Sequence, residues 1–234
     1  MLRIASLFFL VCLPGVALSP AQDFQYSVQH HHTLKDCRGV LKINTDGVSF
    51  TATNGRDSRK WTYESIRVLE IQSASKISIR SYEDQKRWLG KDKVFEFSVV
   101  DKKLTPELST FLLTRVKRPM KIAVIPDIPG KPAFELPVKH LHPITGTQGV
   151  LQIYTDKVIY KTQASGDSRY WRIQDIERYS QPDRFRFQIV SYVPKAGGPN
   201  ESYDFQLMED LPEGVYDFLW VRLHPSSYYP EIRH

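Results

Sequence analysis

Histidine is the residue type whose spacing in this chain most directly suggests chemistry. His30 and His32 stand two residues apart, and His140 and His142 repeat that spacing 110 residues later. Residues two apart on a strand point to the same face, so each pair would present two imidazoles side by side. Two imidazoles are a start for a metal site, but a zinc site takes three or four protein ligands. Either further residues complete a metal site, or hydrogen bonds satisfy a structural pair.

Cys37 offers a third ligand to the first pair, whereas Thr147 stands at the matching position of the second. The other cysteine, Cys12, lies in an N-terminal segment that we expect to be removed, so no internal disulfide is predicted. A single thiol in an exported protein indicates either pairing with another chain or a buried small side chain. The sequence favours burial.

Basic residues form a second candidate site. Residues 24–118 carry 18 Lys/Arg against 11 Asp/Glu, whereas residues 134–224 carry 10 against 12. This asymmetry predicts that the first half contacts an anionic envelope polymer, a lipid surface, or the acidic second half of another chain. A solvated basic face that only aids solubility is the alternative. The candidate ligand-binding residues are Lys35, Arg38, Arg56, Arg59 and Lys60, whose counterparts are Thr145, Gln148, Gly166, Arg169 and Tyr170.

The run Asp57-Ser58-Arg59-x-Trp61 recurs as Asp167-Ser168-Arg169-x-Trp171. Its arginine could hold an anionic group beside the tryptophan. Alternatively, Asp and Ser form a turn that begins a strand, and the tryptophan is buried. The repetition at identical spacing favours the second, structural interpretation.

Enzymatic chemistry finds no support in the motifs of this chain. It has no nucleophile elbow, no glycine-rich phosphate loop and no His-Glu-x-x-His. A non-enzymatic binding or scaffold protein is therefore the leading hypothesis, and a metal-binding module is the second. A hydrolase assembled from distant residues is the third. No cofactor is expected beyond the metal ion of the second hypothesis, and an exported protein with an acidic half is a poor nucleic-acid binder.

An internal repeat must provide the elements that position these residues. At an offset of 110, residues 24–66 align with 134–176 without a gap, and 16 of the 43 positions are identical. Such self-similarity indicates a gene duplication. Four prolines lie between the two copies, which predicts an extended connector whose apolar piece, Ile122–Ile125, could add as an edge strand.

Each copy has the pattern of antiparallel strands followed by one helix. Alternating residues on both sides of Thr45-Asp46-Gly47 predict a hairpin. An amphipathic helix is predicted to begin at Pro106 in the first copy, with Thr105 as its N-cap, and at Pro212 in the second. Its buried face would be Leu108, Phe111, Leu112 and Val116, repeated as Val215, Phe218, Leu219 and Leu223. The remaining strand candidates of the first copy are Phe24–His32, Trp61–Tyr63, Arg67–Ile71, Lys76–Tyr82 and Val94–Val99.

This layout resembles the pleckstrin-homology (PH) and GRAM-like group. The hairpin Gly-Val-Leu-x-Ile-x-Thr-Asp-x-Val followed by Trp-x-x-x-x-Ile is similar to the opening of bacterial members. The resemblance implies two tandem antiparallel barrel or sandwich modules, each closed by a C-terminal helix. It also implies non-enzymatic binding of lipid head groups, peptides or protein surfaces. Phosphoinositide-binding members use basic residues in the first hairpin loop, where Lys35 and Arg38 stand in the first copy and Thr145 and Gln148 in the second.

The N-terminus has the order of a secretory signal. Arg3 precedes an apolar run that Pro14-Gly15 ends, and the small residues Ser19 and Ala21 follow. We expect cleavage before Gln22 and a periplasmic or extracellular location, with no transmembrane segment in the mature chain. The predicted organisation is signal peptide 1–21, first module 22–118, linker 119–133, second module 134–224 and tail 225–234.

Overall fold

The computed structural model describes residues 22–32, 35–85, 88–195 and 198–225. As predicted, the fold is mainly β, with fifteen strands and two α-helices among these residues. The predicted signal peptide and residues 226–234 lie outside the described ranges. Within those ranges, no helix combines the length and the apolar character that crossing a membrane would need.

Among its described residues, the first half of the chain, 22–118, contains seven strands and one helix. They are β1 Phe24–His31, β2 Cys37–Asn44, β3 Gly47–Ala52, β4 Arg59–Trp61, β5 Ile66–Ser73, β6 Lys76–Gln85, β7 Trp88–Val99 and α1 Pro106–Arg115. A 3-10 turn, Tyr63–Ser65, separates β4 from β5. The predicted strand Trp61–Tyr63 is therefore wrong at its end. Tyr63 leaves the strand, and its hydroxyl donates to the carbonyl oxygen of Asn44 at 2.6 Å.

A short strand and then eight further elements follow. They are β8 Met120–Ile122, β9 Phe134–Leu141, β10 Gly146–Ile153, β11 Lys157–Lys161, β12 Arg169–Arg172, β13 Ile176–Asp183, β14 Arg186–Pro194, β15 Asn200–Leu207 and α2 Val215–Leu223. A second 3-10 turn, Ile173–Asp175, stands between β12 and β13. All except β8 belong to the second half, residues 134–224.

The strands form one sheet in the order β13-β14-β15-β9-β10-β11-β12-β8-β5-β6-β7-β1-β2-β3-β4. The order β5-β6-β7-β1-β2-β3-β4 of the first half recurs as β13-β14-β15-β9-β10-β11-β12 in the second. Pairing is antiparallel except between β5 and β8. Among the described residues the sheet does not close into a barrel, since β13 and β4 are its two ends. Of the two predicted architectures, the arrangement agrees with the sandwich-like one.

The predicted hairpin is confirmed. Strands β2 and β3 pair from Gly39 with Ala52 to Asn44 with Gly47, so Thr45 and Asp46 form the connection. Gly47 has a φ of 139°, and a Cβ there would lie 2.1 Å from the carbonyl oxygen of Trp61. Only glycine tolerates both the conformation and the close approach.

Helix α1 closes the first half as predicted. Leu108 and Leu112 are fully buried and Phe111 is nearly so, all within the first core cluster. The start predicted for α2 is wrong, because the helix begins at Val215 rather than at Pro212. Gly214 has a φ of 82°, a left-handed conformation that a right-handed helix cannot include.

The linker strand β8 joins the two halves. It pairs in parallel with β5 through Met120, Lys121 and Ile122, and Ile122 also pairs with Tyr170 of β12. The edge strand predicted for Ile122–Ile125 is therefore wrong, since the strand ends at Ile122 and has neighbours on both sides. Met120 and Ile122 are buried, and burying these two apolar side chains explains why the strand lies inside the sheet.

The two halves also share a core. The cluster formed by the first half includes Tyr154, Ile159 and Tyr170 of the second. At the same junction, Arg172 donates to the carbonyl oxygens of Val116 at 2.7 Å and Arg118 at 2.8 Å, just beyond the end of α1. A second cluster fills the second half alone.

Candidate functional site

Strands β1 and β2 bring together the residues of the first histidine pair. His30 lies directly opposite Cys37 in the antiparallel register, so their side chains share a face. His30 is buried, and its ring stacks on Phe97 at 4.8 Å between centroids. His32 follows the end of β1, and its ring centroid lies 4.1 Å from that of His30. We call His30, His32 and Cys37 the His–Cys cluster.

Three ligand atoms converge in this cluster. Nε2 of His32 lies 3.2 Å from Sγ of Cys37, and Nδ1 of His30 lies 3.7 Å from the same sulfur. Burial, with the neighbouring His32, lowers the pKa of His30 to about 4. Burial also raises the pKa of the Cys37 thiol. At neutral pH, His30 is therefore a neutral imidazole and Cys37 is a protonated thiol.

Cys37 is half-buried and packs against the first core cluster, so the burial predicted for it is only partial. It is the first residue of β2, where the chain enters the sheet from the loop after His32. His31 points away from the cluster, as expected from strand alternation. Its ring contacts Asp36 at 2.9 Å and Ser98 at 2.7 Å.

The second histidine pair has a different third partner. His140 is buried, and its Nδ1 lies 3.0 Å from Oδ1 of Asp167, while Nε2 of His142 lies 3.1 Å from Oδ2. The hydroxyl of Thr147 donates to the same carboxylate. Burial alone would raise the pKa of Asp167, but hydrogen bonds from His140 and Thr147 hold it well below its usual value. We call His140, His142 and Asp167 the His–Asp cluster.

Sequence reasoning did not identify Asp167 as a partner of the histidines. The available signal was its place in the repeated Asp-Ser-Arg-x-Trp run. Its counterpart Asp57 accepts a hydrogen bond from Nδ2 of Asn54 at 2.8 Å instead. Ala164 stands at the position of Asn54 in the second half and has no side-chain donor. Neighbouring side chains thus direct the equivalent aspartates of the two halves, Asp57 and Asp167, toward different partners.

The rest of the repeated run has structural roles in both halves. Trp61 and Trp171 are buried in their cores. The Ser58 hydroxyl accepts from the backbone N–H of Ala52 at 3.0 Å, and Ser168 accepts from that of Thr162 at 3.2 Å. These contacts agree with the turn-and-strand interpretation of the run.

Three predicted ligand-binding residues lie at one end of the first half. Lys35, Arg38 and Arg56 are exposed, and we call them the basic surface. Lys35 lies between β1 and β2, Arg38 is near the start of β2, and Arg56 lies between β3 and β4. The backbone N–H of Thr53 donates to the carbonyl oxygen of Arg38 at 2.9 Å, which brings these loops together.

The other two predicted residues are separate from the basic surface. Lys60 is exposed on β4, and Arg59 shares the alternating face of the buried Trp61. Arg59 donates to the carbonyl oxygen of Ser58 at 2.8 Å and lines a cleft with His30, His32 and Asp57. Among the ion pairs of the described chain, none involves any of the five predicted basic residues.

Comparison with known proteins identifies no family for this chain. No protein-family model matches it, and no curated protein matches it. Among solved structures, it is similar to a chain of one described as "Structure of the Spt16D Pob3N heterodimer". The identity is 8%, the match covers 74% of this chain and 84% of that chain, and the TM-score is 0.30. A similarity of this size carries no argument about function.

Proposed function

We propose that this chain is an exported, non-enzymatic binding protein built from two duplicated PH-like modules, and that its first module binds an anionic partner. The strand order supports the modular part, because seven antiparallel strands in the same order precede one helix in each half. The 16 shared positions support the duplication. Export rests on the charge, apolar and small-residue order of residues 1–21.

The observation that carries the proposed function is the basic surface. Its three cations are exposed at neighbouring positions, with Lys35 and Arg56 between strands and Arg38 near the start of β2, and they have no acidic partner among the described ion pairs. Cations that are not neutralised within the protein keep their attraction for external anions. The second half has Thr145, Gln148 and Gly166 at these positions. The two modules would therefore have similar cores but different binding surfaces.

The chemistry of the basic surface fits phosphate or carboxylate groups. A guanidinium presents donors in a planar fork that matches either group, and a lysine adds a point charge. Because the three charges are spread over two connections between strands and the start of β2, a polymer carrying repeated anions would engage more of them than a single small ion. We therefore propose an anionic polymer of the cell envelope as the partner.

The test compares two triple variants of the full chain. In one, Lys35→Thr, Arg38→Gln and Arg56→Gln remove the basic surface, two of them using the residues of the second half. In the control, Lys76→Gln, Lys103→Gln and Lys161→Gln remove the same charge from exposed positions elsewhere. Binding to polyphosphate is measured by calorimetry at low salt. Because exposed charge pairs contribute about 0.2–1 kcal/mol each, the first variant should lose roughly tenfold in affinity.

The control variant should bind nearly as well as the unmodified chain. Equal losses of affinity in both variants would contradict a localised site and would mean that only the net charge of the chain determines binding. Vesicles with and without phosphatidylglycerol distinguish a lipid surface from a polymer as the source of the anions. Sedimentation at low salt detects association between the first half of one chain and the acidic second half of another. Preferential binding to vesicles, or self-association in place of polyphosphate binding, would overturn the proposal that the partner is an anionic polymer.

Export has its own test. The N-terminal sequence of secreted protein should begin at Gln22. An intact Met1 on soluble protein would overturn the export part of the proposal without affecting the binding part.

A further inference from the structure

The His–Cys cluster and the His–Asp cluster occupy equivalent places in the two halves but differ in their third member. In each, three potential ligand atoms lie within 4.8 Å of one another. In the first, the third member is the sulfur of Cys37. In the second, it is a carboxylate that already accepts hydrogen bonds from its neighbours.

We propose that His30, His32 and Cys37 form a binding site for a divalent transition metal ion of the zinc class, and that the second half lacks an equivalent site. This inference goes beyond the proposed anion binding and does not depend on it. It assigns a ligand to a set of side chains that the basic surface does not use.

The two sulfur–nitrogen distances of the His–Cys cluster fit tetrahedral coordination. Zinc bonds of about 2.3 Å to sulfur and about 2.0–2.1 Å to nitrogen place the two ligand atoms roughly 3.6 Å apart. The distances from Sγ of Cys37 are 3.2 Å to Nε2 of His32 and 3.7 Å to Nδ1 of His30. Small side-chain adjustments would thus enclose an ion, without movement of β1 or β2.

The donor types select the class of metal. A thiolate with two imidazoles is a soft to borderline set that suits zinc, cobalt and copper, whereas calcium and magnesium require oxygen ligands. Coordination takes the thiolate form, so the sulfur–hydrogen bond of Cys37 breaks and its proton passes to solvent as the sulfur–metal bond forms. Neither the ion nor the protein is oxidised or reduced in this step.

The fourth coordination position would face the cleft. Asp57 lines this cleft beside both histidines, but its carboxylate is held by Asn54 at 2.8 Å and is not among the convergent ligand atoms. A water molecule or an exchangeable ligand would therefore complete the coordination of a bound ion. Three protein ligands with one open position are the arrangement of zinc sites that exchange ligands.

The second half provides an internal comparison. Thr147 replaces the thiol, and its hydroxyl donates to Asp167. Both imidazoles also face that carboxylate, at 3.0 and 3.1 Å. A metal ion there would have to break these three hydrogen bonds before it could bind. The His–Asp cluster is thus a satisfied hydrogen-bonded group, and the His–Cys cluster has only weak sulfur contacts to lose.

The experiment titrates the full chain, freed of metal by a chelator, with Co²⁺ and then displaces it with Zn²⁺. The unmodified chain should bind one Co²⁺ and show the near-ultraviolet charge-transfer band of a cobalt–thiolate bond. Cys37→Thr, which introduces the residue of the second half, should abolish the band. It should weaken binding by more than about 100-fold, because loss of even an outer-shell partner costs about 10–100-fold.

Two further variants complete the design. His32→Gln removes a half-buried ligand and should also weaken binding, which keeps the test valid if Cys37→Thr fails to fold. Asp167→Asn alters the other cluster and should leave the stoichiometry and the band unchanged. The inference is overturned if the unmodified chain binds no Co²⁺, if Cys37→Thr binds Co²⁺ as tightly as the unmodified chain, or if two ions bind per chain.

Discussion

Nε2 of His32 lies 3.2 Å from Sγ of Cys37. The equivalent nitrogen of His142 lies 3.1 Å from a carboxylate oxygen of Asp167 instead. The two halves thus keep the same histidine pair and surround it with different chemistry. The third member is a thiol in one half, and in the other it is a carboxylate that already accepts hydrogen bonds.

The His–Asp cluster should make stability depend on acid. The folded pKa of Asp167 lies below its ordinary value of 3.8. The ionised form therefore contributes stability above about pH 4, and this contribution is lost as the pH falls below that value. We expect the urea midpoint of the unmodified chain to fall between pH 5 and pH 2. Asp167→Asn should lower the midpoint at pH 5 and flatten this decline.

Asp127→Asn is the control for that experiment, since Asp127 is exposed. Its pH profile should follow that of the unmodified chain. If Asp167→Asn showed the same profile as the control, the hydrogen bonds to Asp167 would not contribute to stability.

Arg172 couples the two halves and should contribute strongly to stability. It donates to carbonyl oxygens beyond α1 and pairs with Asp175 at 2.7 Å. Arg172→Leu would leave Asp175, which is 2% exposed, without its partner. Because an unpaired buried charge costs about 3–5 kcal/mol, the free energy of unfolding should fall by that amount in urea titration.

The pair Arg178–Glu177 provides the control, since Arg178 is exposed. Arg178→Leu should change the free energy of unfolding by about 0–1 kcal/mol, as expected for a surface ion pair. Adding Asp175→Asn to Arg172→Leu should recover part of the loss. A double variant as unstable as the sum of the two singles would show that they act independently.

Helix α1 should be necessary for the first core. Phe111 is 6% exposed and packs against Phe24 at 5.3 Å between ring centroids. Phe111→Ala should therefore lower the free energy of unfolding by about 3–5 kcal/mol. Val221→Ala on α2 is the control, because Val221 is 64% exposed and should lose little. Unchanged stability in Phe111→Ala would mean that α1 does not close the core.

Much of the fold follows from local patterns in the sequence. Alternation around Thr45-Asp46-Gly47 predicts the first hairpin, and the spacing of Leu108, Phe111 and Leu112 predicts the buried face of α1. The start of α2 is harder to predict. Proline often occupies the first position of a helix, so Pro212 predicts a start there. Gly214, however, has a left-handed conformation, and the helix begins only at Val215.

Only part of the candidate site can be predicted from the sequence. Strand alternation identifies both histidine pairs, because residues two apart share a face. It could not identify Asp167, which lies 27 residues from His140 and reaches it through tertiary packing. Nor could it place β8 between the two halves, because that position depends on pairing with β5 and β12 at once.

Salt dependence tests the central claim, anion binding by the basic surface, most directly. The affinity of the full chain for polyphosphate is measured from low salt to 1 M, over which the Debye length falls from about 10 Å at 0.1 M to about 3 Å. We predict a steep loss of affinity for the unmodified chain and a much shallower one for the variant lacking Lys35, Arg38 and Arg56. The claim is contradicted if the two chains respond to salt alike, or if the unmodified chain does not bind at the lowest salt.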